Sequence, residues 1–127
     1  MKKDFDNWNI EKKNANNNKG RYYHEREVWW CTLGVNIGYE QDGLGRSFQR
    51  PVLVIKGLSS NTCVVAPLTT SESTHPMRIS LGEINGKRAF VIISQLRVVD
   101  TRRFTERLHV LNKEIFDGVQ KAVRKLF

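Results

Sequence analysis

Apolar residues along this chain fall in short blocks separated by glycine, asparagine and polar stretches, a strand-and-turn pattern more than a helical one. The first block, EVWWCTL from Glu27, is apolar, aromatic and β-branched over strand length, and predicts a first strand. Its two tryptophans, Trp29 and Trp30, point to opposite faces, so at least one must face inward. GVNIGYEQDGLGRSFQ follows, with Gly34, Gly38, Gly43 and Gly45 and few core residues, which predicts a long surface loop. Two further blocks, RPVLVIK and TCVVAPLT, are separated by the hairpin composition Gly57-Leu58-Ser59-Ser60-Asn61 and should pair antiparallel. A short strand around MRISL, a turn at Asn85-Gly86 and a strong strand RAFVIIS complete five expected strands. In the tail NKEIFDGVQKAVRKLF, Ile115, Phe116, Val119, Ala122, Val123 and Leu126 share one helical face, with Asn112 as N-cap.

The expected fold class is therefore mainly β: a small curled barrel carrying a C-terminal amphipathic helix and short helical additions. Residues 27–127 form the domain. Residues 1–26 form a polar extension in which only Phe5, Trp8 and Ile10 offer apolar surface, suited equally to a short docked helix or a disordered tail.

The hairpin carries a register argument. If the chain turns near Ser59, Arg50 at the start of one strand lies opposite Leu68 or Thr69 at the end of the next. The Arg50 guanidinium then stands within reach of the Thr69 hydroxyl. Pro51 and Pro67 fall close together in the same register, and neither donates a ladder hydrogen bond, so regular pairing should loosen there and open the rim. Pro51 also holds Arg50 extended, aimed toward the loop that carries Glu40, Gln41 and Asp42.

Charge adds a partner to this picture. Lys plus Arg number 21 against 13 Asp plus Glu, a formal charge of +8, so polyanions come first, with nucleic acid ahead of an acidic protein. Cys31 and Cys63 lie in apolar runs without CxxC spacing and read as buried reduced thiols; neither a metal site nor a cofactor is expected. No apolar stretch is long enough to span a membrane and the first residues lack the apolar core of a signal peptide, so the expectation is a cytoplasmic protein.

An arginine, a hydroxyl and a carboxylate at an open rim suit cleavage of RNA without a metal. The 2′-hydroxyl attacks the adjacent phosphorus, Arg50 grips the phosphate, Thr69 donates a further hydrogen bond, and Glu40 is the nearest candidate base. DNA lacks the attacking hydroxyl. The plain alternative is that an arginine at a strand mouth is a solvated cation and a strand-ending threonine a simple β-former. His24, His75 and His109 read as scattered surface histidines, and Arg102, Arg103 and Arg107 as a basic edge, solvated or phosphate-binding.

At these residues the chain resembles the MazF/PemK toxin family in EVWWCTLG, GYEQDG, RPVLVI, VVAPLT and SQLRVVDTRR, in order from Glu27 to about Arg103. The resemblance implies an SH3-like barrel and a homodimer. It also implies sequence-selective cleavage of single-stranded RNA, leaving a 2′,3′-cyclic phosphate and a 5′-hydroxyl, and neutralisation by a cognate antitoxin. It puts the family's catalytic arginine at Arg50 and its threonine at Thr69, with Glu40 and Gln41 in the loop that bounds the site. Gln95 and Arg97 match a Q-x-R segment that contacts substrate or supports the dimer interface. Tyr39 and Ser94 depart from the family pattern, so they are taken as RNA-binding positions without proton-transfer roles. The longer loop, with Arg46, points to altered RNA selectivity, antitoxin contact or simple drift. The rival reading within the same fold is a catalytically inactive RNA binder or a CcdB-like gyrase poison.

Overall fold

The computed structural model describes residues 20–33, 49–71 and 77–127. Seven antiparallel strands curl into a half-barrel: β1 (Glu27–Thr32), β2 (Gln49–Ser59), β3 (Thr62–Thr69), β4 (Arg78–Ile84), β5 (Lys87–Ile92), β6 (Arg97–Asp100) and β7 (Phe104–Val110). Helix α1 (Lys113–Arg124) ends the chain. The strand order is β4-β5-β3-β2-β1-β7, with β6 also paired to β3. Two short 3-10 turns, Ile93–Gln95 and Thr101–Arg103, flank β6.

The five strands expected from apolar runs are present, and β6 and β7 are added to them. Neither carries an apolar period of its own: β6 is four residues long with Val99 buried, and β7 buries only Phe104. Their extended state comes from pairing, β6 along Thr62–Val65 and β7 along Glu27–Cys31. The Asn85-Gly86 turn is as expected: both residues have positive φ, 54° and 85°, which closes a two-residue hairpin from Ile84 to Lys87.

Alternation along the strands separates two cores. On one face Val28, Leu53, Ile55, Ala66, Leu68 and Val91 pack against Leu111, Phe116 and Val119 at the helix. Asn112 caps α1, its Oδ1 accepting from the amides of Glu114 at 2.7 Å and Ile115 at 3.2 Å. On the other face Trp29, Cys31, Val52, Val54, Cys63, Val65, Val99 and Phe104 form a second cluster, where Trp29 stacks on Phe104 at 5.1 Å between centroids. Trp29 is thus the tryptophan that faces inward. Residues 20–26, read from sequence as part of the extension, run along this second face. Tyr23 packs on the cluster and turns its hydroxyl to the carbonyls of Ser59 and Thr62. Gly57 makes room for that ring, since a Cβ there would lie 2.9 Å from the Tyr23 hydroxyl. Among the described residues no helix is long and apolar enough to cross a membrane.

Among the described residues Glu27 is the one buried acidic group. Its carboxylate accepts from Trp29 Nε1 at 2.9 Å, from the His24 amide at 2.9 Å and from Arg107 Nη1 at 3.1 Å. Burial raises its pKa, but these hydrogen bonds outweigh burial and hold it below the ordinary glutamate value. A depressed folded-state pKa adds stability above the unfolded value, about 4.3, that is lost as pH falls through the folded value. Thermal melts should therefore show Glu27→Gln well below the wild type at pH 7 and the gap narrowing as pH falls below 4. A gap of constant size would contradict a charged, hydrogen-bonded Glu27.

Cys31 and Cys63 are free and fully buried, and burial pushes both thiols up to about 12. A thiol-specific chromogenic reagent at neutral pH should react with neither in the native protein and with both after unfolding.

Candidate functional site

The register of β2 on β3 decides what meets at the rim. The turn is tighter than its composition suggests, with Ser59 paired to Thr62. Two register shifts along the ladder then bring Val54 opposite Val65, Leu53 opposite Ala66 and Val52 opposite Pro67. Direct pairing ends at Pro67, where a ladder lacking a proline N–H should loosen. Continued by two residues, the same register sets Arg50 opposite Thr69. The Arg50 Nη2 reaches across β3 and donates to the Leu68 carbonyl at 3.4 Å.

Alternation places both side chains on one face. Arg50 follows Val52 and Val54, and Thr69 follows Pro67, Val65 and Cys63, so both belong to the face of the second cluster, at the end where β2 begins and β3 stops. Both are half-buried. The Thr69 Oγ1 accepts from the Ser71 amide at 3.1 Å, which leaves its own O–H free to donate. Arg78, which the sequence reading did not single out, holds this strand end by donating Nη1 to the Ser71 carbonyl at 3.1 Å.

Ser94, Gln95 and Arg97 come to the same stretch of β3 by a different device. Leu68 pairs with Val91 on β5, and Val65 pairs with Arg97 on β6. Three steps along β3 thus face six along the β5–β6 segment, and the 3-10 turn Ile93–Gln95 takes up the excess. The turn pushes Ser94 and Gln95 outward as exposed side chains beside Pro67, while Arg97, exposed, shares the face of Val99. Tyr39, Glu40, Gln41 and Arg46, the loop positions of the expected site, lie outside the described residues, as does His75.

The electrostatics agree with this gathering. Cys31 is the ladder partner of Arg50. Burial raises its thiol, and the positive charges of Arg103 and Arg97 pull the other way. The guanidinium charges of Arg97 and Arg103 therefore both reach the buried partner of Arg50. A shallow groove lined by Tyr22, Tyr23, Gly57, Ser59 and Ser60 lies at the opposite, hairpin end of β2 and β3 and contains none of these groups.

A family model described as PemK-like, MazF-like toxin of type II toxin–antitoxin system matches residues 24–127. The chain belongs to this toxin family. Endoribonuclease EndoA of Bacillus subtilis (strain 168) is 29% identical to it, over 77% of this chain and 88% of that protein. Among solved structures, MazF from Deinococcus radiodurans superposes with a TM-score of 0.64 at 22% identity, covering 84% of this chain and 96% of its own. An endoribonuclease from a mycobacterial species, in complex with its cognate antitoxin, gives 0.63 at 15% identity, covering 81% and 92%. At such identities the two structures establish the shared fold, and the SH3-like barrel expected from sequence is the fold observed.

Thr69 has a polar function only if its hydroxyl, and not its shape, matters at the rim. Thr69→Val keeps the volume and the β-branch, so its melting temperature should stay close to the wild type's. Global unfolding of the variant would instead mark a structural threonine.

Proposed function

We propose that this protein is a metal-independent endoribonuclease toxin that cleaves single-stranded RNA at specific sequences and is neutralised by a cognate antitoxin. The observation that supports the reading is the β2–β3 register, which continued two residues past Val52–Pro67 sets Arg50 opposite Thr69, with Arg50 donating to the Leu68 carbonyl, in a chain of the toxin family similar to an endoribonuclease. The toxin domain spans residues 27–127, acts as a homodimer and works in the cytoplasm, and residues 1–26 are its extension.

In this reading a phosphodiester enters the rim between β2 and the 3-10 turn. Arg50 takes two phosphate oxygens through parallel N–H bonds and offsets the extra negative charge that builds as the 2′-oxygen attacks phosphorus. The Thr69 O–H, which its accepted bond from Ser71 leaves available, donates to the same oxygens. Glu40 removes the proton of the 2′-hydroxyl, the bond to the 5′-oxygen breaks, and that oxygen leaves as a hydroxyl once protonated. The products are a 2′,3′-cyclic phosphate and a 5′-hydroxyl. Tyr39, Gln41, Arg46, Ser94, Gln95 and Arg97 bind the flanking RNA, by stacking at Tyr39 and by polar contacts at the others.

Purified protein should cut an unstructured RNA in the presence of EDTA, and Arg50→Ala should slow cleavage by on the order of 10²–10³. Sequencing of the cleavage ends should place the cuts at a recurring sequence. Undiminished cutting by Arg50→Ala would end this assignment.

A further inference from the structure

We propose that Arg97 and Arg103 form a second phosphate subsite beside Arg50, which holds the RNA backbone at a nucleotide neighbouring the one cleaved. The proposal rests on the nuclease reading for the identity of the strand, and it adds a binding role for Arg103.

The three arginines in TRRFTER are treated differently by the fold. Arg102 lies along the Asp100 carboxylate, with Nε at 2.9 Å and Nη2 at 2.8 Å, and Arg107 donates to the buried Glu27 at 3.1 Å. Each of these charges meets a carboxylate. Arg103 instead donates Nη1 to the Thr32 carbonyl at 3.1 Å, a neutral acceptor that fixes the guanidinium, and it feels the Asp100 carboxylate without a direct ion pair to it. Among the described residues no carboxylate pairs with Arg103, Arg97 or Arg50. The nearby acid, Asp100, is already occupied by Arg102.

Position then ties Arg103 to the rim. Cys31 has Arg50 as its partner on β2 and Phe104 on β7, so the strands run β7, β1, β2 at this level. Arg103, next to Phe104 and anchored at the end of β1, stands about two strand spacings, roughly 10 Å, from Arg50. Arg97 enters from the β6 side on the same face. The charges of Arg97 and Arg103 both act on the Cys31 thiol, and Cys31 is the ladder partner of Arg50. A ligand with several phosphates in series can meet these guanidinium groups at successive phosphates, each contact releasing counterions. RNA is favoured over an acidic protein because the subsite adjoins the Arg50–Thr69 rim on its own face.

The test measures binding of a 2′-O-methyl oligouridylate, which cannot be cut, against salt concentration. Arg103→Gln and Arg97→Gln should each weaken binding roughly 3- to 10-fold at low salt and flatten the slope of log affinity against log salt by about 0.7, one phosphate contact each. Lys121→Ala, an equal loss of charge on the far helix, should leave the slope unchanged. In cleavage assays the two glutamine variants should raise KM and keep kcat, whereas Arg50→Ala lowers kcat. Arg103→Lys, if Arg103→Gln melts early, should recover the slope. Wild-type binding by both glutamine variants overturns the subsite, and so does unchanged RNA binding with weakened binding of polyglutamate, which would assign the cations to a protein partner. Absence of cleavage by the wild type would sink the nuclease reading, while the binding arm would still decide the subsite.

Discussion

The pairing of β2 with β3 is the contact on which the other parts of this molecule depend. β3 is the one strand shared by β2, β5 and β6, and its eight residues carry the half-barrel from one sheet region to the next. Pro67 ends the direct ladder with β2 and lies just before Leu68 and Thr69 turn to β5. A slip of one residue would invert the faces of every side chain on the strand, exchanging Val65 for Ala66 in each core and carrying Thr69 away from Arg50. Two buried faces, not one, oppose that slip, because Leu53, Ala66 and Leu68 are needed on the helix side and Val52, Val54 and Val65 on the other.

The same strand explains how a rim forms in so small a domain. The 3-10 turn Ile93–Gln95 lets the chain leave β5 and rejoin β3 as β6. Backbone at that bend is short of regular partners, and exposed Ser94 and Gln95 project from it. A well-packed strand thus ends in a place where polar groups meet solvent, which is the usual setting for binding and catalysis on a rigid scaffold.

Charge is distributed with similar economy. The buried Glu27 takes Arg107, and Asp100 takes Arg102 while also capping the Thr101–Arg103 turn through the Arg102 amide. Those ion pairs belong to the architecture of β1, β6 and β7. The cations without a direct carboxylate pair among the described residues include Arg50, Arg97 and Arg103, of which the last two act on Cys31, the ladder partner of Arg50. A net charge of +8 by itself says nothing of this sorting.

Local pattern alone determined β1 to β5, the Asn85-Gly86 turn, the Asn112 cap and helix α1, because each carries its own period, turn chemistry or capping side chain. The approach of Arg50 to the end of β3 was legible in outline, but the turn at Ser59 and Thr62 alone would set Arg50 opposite Ser71, and two register shifts that no residue pattern announces bring it opposite Thr69. Tertiary structure decided the rest. β6 and β7 hold almost no buried residues and are strands only because β3 and β1 offer unpaired edges. Arg102, Arg103 and Arg107 are alike as letters in a basic run, and only the positions of Asp100, Glu27 and the Thr32 carbonyl, the last two some 70 to 80 residues away in sequence, distinguish the two arginines in direct ion pairs from the one that, among the described residues, bonds a carbonyl.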